Sequence, residues 1–247
     1  MVDVVLALVL VAIAVALSRV KGLNLERDIL LGTLRAFAQL MAIGYLLNFI
    51  FDLHRLELVF VLLLIMVLIG GQTSSRRAKS LRGRFLIATC AIGLGTFATL
   101  GLLIGLGIIA TQPRYLIPLA GMTIGNATRT CSLALERLRS ELTSRAGEVE
   151  AALALGATSS QAAQHVIRAA VRAAMVPLVD TLKIVGLIQF PGAMTGMILA
   201  GAQPLDAVKI QLIIMYMLVA AALIASLSIA LLVIRKYFTR DHQLVVL

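Results

Sequence analysis

Polar side chains within apolar helices are the groups that could do chemistry, and the sequence supplies few of them. Asp180 and Lys183 stand three residues apart, so on a helix they share a face and can pair, which lowers the cost of burying either charge. Arg35 and Gln39 are four apart and project from one face in the same way. Charged groups at membrane depth generally face a bundle interior or a water-filled route, which makes these four residues candidates for a substrate path. A second reading is that they only lock helices together. Asn126, with Gly121 and Gly125 close by, is open to the same two readings, because glycines at this spacing also allow close helix contact.

The stretch from Pro177 to Gly201 contains Gly186, Gln189, Pro191, Gly192, Met194, Gly196 and Met197. Pro191 with Gly192 should interrupt a helix here before a second half-helix carrying Gly196 and Gly201, with Pro177 in its first turns and Gly186 thinning its middle. Backbone groups freed by such a break must be satisfied by protein or by water in a cavity. A substrate route beside Phe190 to Met197 is therefore expected, against the alternative of tight packing at the glycines.

Metal ligation has no assigned residues and its ligand set is unknown. Asp180 is the one acid well inside an apolar run, and His54, His165 and His242 fall in loops or at ends. Cys90 and Cys131 are far apart and have neither zinc nor disulfide-framework spacing. Met122, Met194, Met197, Met215 and Met217 could line a path, although methionine at helical spacing also fills cores. A chelated or organic substrate suits such a lining at least as well as a naked ion.

These residues must be positioned by membrane helices. The chain of 247 residues is 60% hydrophobic and 14% charged, with a mean hydropathy of +1.01, which a water-soluble fold could not bury. Apolar runs near 3–18, 28–51, 56–72, 85–110, 115–135, 173–202 and 206–234 predict an all-α polytopic protein of about seven transmembrane helices. The first run is followed rather than preceded by basic residues, Arg19 and Lys21, and so reads as a helix and not a signal peptide. Basic clusters at Arg19–Arg27, Arg76–Arg84, Arg137–Arg172 and Arg235–Arg240 alternate with sparse loops holding Arg55, Arg114 and Lys209. By the positive-inside rule the N-terminus is outside and the C-terminus cytoplasmic. The net charge of +10 is carried by these clusters with no aromatic-rich polar face beside them, which argues against nucleic-acid binding.

The one polar stretch of any length is 136–172, between the fifth and sixth runs. It reads as a helix from Glu148 to Leu155, a corner at Gly156, and a restart in which Thr158 and Gln161 have capping-box spacing. Glu148 and Glu150 would lie in the first turns, where the helix dipole favours acids. The bland alternative is a solvated amphipathic loop.

The string EAALALGAT at 150–158 resembles the EAA coupling motif of ABC transporter permeases, in which a glutamate, two alanines and a later glycine shape a helix that docks into an ATPase subunit. Ala151 and Ala152 match its alanines and Gly156 its glycine. The leucine-proline pair that follows in importers is missing, a departure that points away from a binding-protein-dependent importer. Residues 24–40, 117–127, the segments PLVDTLKIVGL and FPGAMTG within 177–196, and the tail RDHQLVV together resemble the FetB family of small ABC permeases associated with iron export and related to plant aluminium-sensitivity permeases.

The resemblance implies a single permease domain over 1–247, with a cytoplasmic coupling segment at 136–172 in which Glu148, Glu150, Ala151, Ala152, Gly156, Arg168 and Arg172 pass movement to the sixth span. It implies a plasma- or inner-membrane homodimer working with a separate cytoplasmic ATPase subunit (FetA-like) that binds ATP and magnesium, this chain itself holding no cofactor and no enzyme activity. A P-loop of the G-x-x-x-x-G-K-[ST] type is absent from the sequence. Iron or a related metal, an aluminium-related substrate and a nucleotide sugar are all compatible with the family. A gradient-driven secondary transporter or channel using Asp180, and a membrane assembly protein, remain the alternatives from other classes.

Overall fold

The computed structural model describes residues 2–53, 56–78, 81, 83–239 and 243–244. His54, Arg55, Lys79, Arg82, Arg240 and His242 lie outside the described residues. Among the described residues the chain is all-helical, with no strand beyond two isolated bridges. It forms two compact units, Met1–Arg55 and Leu56–Leu247.

The first unit is a helical hairpin, α1 (Val2–Val20) and α2 (Glu26–Leu53). Its turn uses Gly22 at φ 62° and Asn24 at φ 56°, a left-handed conformation that these two residue types tolerate best. Buried Ser18 fastens the turn: its Oγ donates to Glu26 Oε1 at 2.9 Å and accepts from the Leu25 N–H at 3.1 Å.

The second unit contains α3 (Leu56–Ser75), a 3-10 turn (Arg76–Ala78), α4 (Arg84–Gly105), α5 (Pro113–Ser144), α6 (Ala146–Ala154), α7 (Ser159–Ala162), α8 (Gln164–Ile184), α9 (Gly192–Leu199) and α10 (Pro204–Ile234). α5 and α10 form the spine: α10 lies against α4, α5 and α8, and α5 also packs on α3. Membrane helices gain little from hydrophobic transfer against one another and rely on close approach. At Gly95 an added Cβ would stand 2.5 Å from the Ala221 carbonyl oxygen and 3.0 Å from Ala225 Cβ, so α4 and α10 touch backbone to backbone. Ala88, Ala91, Ala221, Ala222 and Ala225 continue the seam and are fully buried.

Four helical segments among the described residues are long and apolar enough to cross a membrane: Glu26–Asn48, Glu57–Ala78, Arg84–Gly105 and Pro204–Tyr237, with Leu6–Val20 a shorter apolar helix. The fifth and sixth expected runs take a different form. α5 begins near the expected place but continues nine residues past 135 to Ser144, because leaving an apolar environment does not end a helix when no breaker is present. The sixth run, 173–202, starts at Gln164 and is divided between α8 and α9.

The expected break also moves. Pro177 sits deep in α8 rather than in its first turns, and the helix runs on to Ile184. It ends where Val185 turns extended and Gly186 takes φ 82°. The Gly186 N–H donates to the Gln189 carbonyl at 3.0 Å, closing a tight loop. Pro191 precedes the first residue of α9, where a missing N–H costs nothing, so the interruption spans 185–191 and the expected second half-helix begins at Gly192 and carries Gly196, with Gly201 past its end. Replacing Gly95 by Val should lower stability by about 1–3 kcal/mol through overpacking, whereas Gly101→Ala, with nothing within 4 Å of the new Cβ, should be neutral or stabilising. Thermal unfolding of the detergent-solubilised protein separates the two.

Candidate functional site

Two features of the second unit gather the polar residues: a corner built around α6, and the outward faces of α5 and α8. The corner begins where α5 ends at Ser144 and α6 begins at Ala146. Val149, 2% exposed, anchors α6 against the body, leaving Glu148, Glu150 and Ala151 on its outer side. Ala152 is half-buried. The helix stops at Gly156, whose φ of 90° suits glycine, and the Ala157 N–H donates back to the Ala152 carbonyl at 3.0 Å. Thr158 then caps α7: its Oγ accepts from the Gln161 N–H while the Gln161 side chain accepts from the Thr158 N–H at 2.9 Å, a complete capping box. The expected helix, corner and restart are all present.

A charged clamp that the sequence reading did not anticipate ties this corner together. Arg145 donates through Nε to Glu141 Oε2 at 2.9 Å, lies 3.6 Å from Glu148 Oε2, and meets His165 Nε2 through Nη1. His165 Nε2 is also 3.9 Å from Glu148. The end of α5, the start of α6 and the start of α8 are thus joined across the Gly156 turn. Beside the turn Leu155 is 90% exposed, a large apolar side chain projecting from a polar segment. Leu155 was missed because an apolar residue in an alanine-rich helix reads as its buried side. His165 was missed because it is 20 residues from Arg145 in sequence.

α8 leaves the corner carrying a stripe. Arg168, Arg172, Asp180 and Lys183 recur at helical spacing and all line one recess of about 680 Å³, whose opposite wall is Val219, Leu223 and Leu227 of α10. Lys183 Nζ donates to Asp180 Oδ1 at 2.9 Å, so the predicted pair forms. It is not buried: the two side chains are 67% and 55% exposed. The arginines expected to serve coupling and the pair expected to serve a path therefore share one helix face, about 22 Å long at 1.5 Å per residue.

On α5, half-buried Asn126 stands one turn from Arg129, an exposed cation in the middle of the helix. Arg129 went unremarked in the sequence because the polar neighbours Thr128 and Thr130 disguise it, though a lone arginine inside an apolar run was the available signal. Toward the start of α5, Met122 and Met197 come together in a recess of about 490 Å³ with Arg114, Tyr115, Ile210 and Ile214. The Arg114 guanidinium lies 5.2 Å from the Tyr115 ring centre.

Other candidates stay apart from these. Gln189 is exposed in the loop before α9, beside Leu187, Ile188 and Phe190, and Met194 is half-buried. Met215 and Met217 are buried in the core of α10 and fill space. Arg35 and Gln39 are exposed on α2 in the first unit, with no hydrogen-bond partner among the described residues. No group of three or more His, Cys, Asp or Glu among the described residues could hold a metal ion.

Long apolar helices, backbone-close packing and charged stripes on helix faces define a multi-pass helical membrane protein with a structured polar corner at one end of its larger unit. The chain belongs to the group described as "Uncharacterised protein family (UPF0014)", whose pattern matches residues 1–238. It is 40% identical to "Protein ALUMINUM SENSITIVE 3" of Arabidopsis thaliana over 239 residues, covering 96% of this chain and 87% of the relative. It is 37% identical to the "Probable iron export permease protein FetB" of Escherichia coli (strain K12) over 241 residues, covering 98% and 93%. A third relative, "UPF0014 membrane protein YjkA" of Bacillus subtilis (strain 168), is 36% identical over 97% of this chain and 96% of its own length. No solved structure matches.

Exposed ion pairs contribute about 0.2–1 kcal/mol each, so the clamp should act on local opening more than on global stability. Freeing α6 from it in the double variant Glu148→Gln, His165→Ala, which keeps the Arg145–Glu141 pair, should speed amide exchange over Gly147–Ala154 by about two- to fivefold and leave α4 unchanged, as hydrogen-exchange mass spectrometry would show.

Proposed function

We propose that the chain is the permease subunit of an ABC transporter, an exporter of iron or a related metal powered by a separate ATPase subunit that binds ATP and magnesium. The observation that carries this reading is the corner: a short helix with exposed Glu148, Glu150 and Ala151, ended by left-handed Gly156 and fastened to α5 and α8 by the Arg145 clamp. Ala151 and Ala152 leave the helix backbone open to a partner surface, and Leu155 offers an apolar side chain to a pocket on it. The names of the Escherichia coli and Arabidopsis relatives support a metal-related substrate, and the E. coli name supports export.

The working unit is a homodimer in the cell membrane, with seven spans per chain, the N-terminus outside and the C-terminus in the cytoplasm. The stripe of α8 supports the dimer. A face bearing Arg168, Arg172, Asp180 and Lys183 is poorly suited to lipid and well suited to a second copy or to water between copies. Closure of the ATPase pair would push on α6, and α8 would carry the displacement toward Gly186 and the loop before α9. Asn126 and Arg129 of α5, with the Asp180–Lys183 pair, are the polar groups offered to the path.

Gly156→Leu meets no steric obstacle, since nothing lies within 4 Å of the added Cβ, but forces an L-residue to φ 90°. It should weaken co-purification of the ATPase subunit about tenfold or more, as should Leu155→Asp, while Gly147→Ala in the same helix should not. Retained ATPase association in both variants would remove the docking role. Arg129→Met should leave ATPase association intact and reduce substrate-stimulated ATP hydrolysis by the reconstituted complex at least tenfold, with iron, aluminium and nucleotide sugars tested as substrates.

A further inference from the structure

A second charged feature lies along the last turns of α5, beside the docking corner. The 3-10 turn Arg76–Ala78 and the last turns of α5 enclose a cleft of about 680 Å³. Its walls carry three arginines (Arg76, Arg77 and Arg139), one acid (Glu136) and the hydroxyls of Ser140, Thr143 and Ser144. Among the described residues the lining has an excess of two positive charges. Arg77 approaches Glu136 at 3.6 Å in a loose, exposed pair, and no acid among the described residues pairs with Arg76 or Arg139.

The hydroxyls differ in what they can still donate. Thr143 Oγ1 donates to the Arg139 carbonyl at 3.0 Å and Ser144 Oγ to the Glu141 carbonyl at 3.2 Å. Ser140 has no such bond among the described residues, which leaves its hydroxyl to donate to a ligand oxygen. The walls are firm: Ala78, Leu138 and Leu142 are buried behind them, and Arg84 Nη1 donates to the Ala78 carbonyl at 3.4 Å.

Guanidinium forks with a hydroxyl donor beside them match the geometry of phosphate oxygens, which are acceptors only. The depth of the cleft selects the source. The 3-10 turn closes the apolar segment Glu57–Ala78, so the cleft opens at the end of a membrane span, where headgroups lie. We propose that this cleft binds the phosphate of an anionic phospholipid, held by Arg76 and Arg139 with Ser140, with Glu136 moderating the charge through Arg77. The site is independent of the ATPase-driven reading and stands or falls separately.

Its test uses the full chain, purified into micelles containing phosphatidylcholine and a minor share of phosphatidylglycerol, with retained lipid counted by native mass spectrometry. Phosphatidylglycerol should be retained preferentially, and the preference should weaken with salt. The double variant Arg76→Gln, Arg139→Gln should lower that preference about tenfold, with helix content unchanged by circular dichroism. Glu136→Gln, which keeps every arginine, should raise it, and keeps the question decidable if the double variant does not fold. Equal retention of the two lipids, no change in either variant, or displacement by millimolar inorganic phosphate without any lipid preference would each overturn the proposal.

Discussion

Every charge on a membrane helix has to meet protein or water, and every helix–helix contact has to be made without much hydrophobic gain. The second unit separates these two demands by face. The inner faces of α4, α5 and α10 are built from small residues, with Gly95 set against the Ala221 carbonyl and Ala120, Ala127, Ala134 and Ala225 almost wholly buried. Charges are excluded from that seam and appear on the outward faces, Arg129 on α5 and the Arg168–Lys183 stripe on α8. The tight core thus determines where the charges stand. A bulky or charged residue in the seam would prise α4 from α10, whereas the outer stripes place few packing demands on the fold.

The corner obeys different rules because it is made of polar, local interactions. That is why it was the most legible part of the sequence. A capping box is a four-residue relation, and the left-handed turn depends mainly on a glycine at the right position, so Thr158, Gln161 and Gly156 could be read without knowing any tertiary contact. The long-range part of the clamp was not legible. Glu141, Arg145 and Glu148 are within four residues of one another, but His165 joins them only because the Gly156 turn folds α8 back beside the end of α5.

The broken sixth run shows a subtler limit. A helix break was expected at Pro191 and Gly192, and a second half-helix does begin there, but the break opens earlier, at Val185 and Gly186. Proline and glycine are both helix breakers in composition, yet at Pro191 the ring's fixed φ opens α9, while Gly186 supplies the left-handed residue that ends α8. Pro177 is tolerated inside α8, with Thr181 Oγ1 donating to the Pro177 carbonyl at 2.8 Å. The extension of α5 to Ser144 has a related cause: hydropathy marks where apolar residues stop, and helix continuity is set by backbone propensity, which Glu136 to Leu142 retain.

The position of the break bears on mechanics more than on chemistry. With the break at Gly186 instead of Pro191, α8 is a single rod of 21 residues, about 30 Å long at 1.5 Å per residue, from beside the capping box to the loop that precedes α9. Its buried side, from Val166 through Ala170 and Ala174 to Leu178, rests on the bundle, and its charged side faces the recess. A rod anchored along one side transmits displacement by sliding or rotating as a body, so a push at the corner would reach Asp180 and Lys183 together with Gly186. On the proposed reading, coupling and substrate contact are then two ends of one rigid element. Arg168 and Arg172 before Ala173 belong to the same stripe as Asp180 and Lys183 after it because one helix carries both.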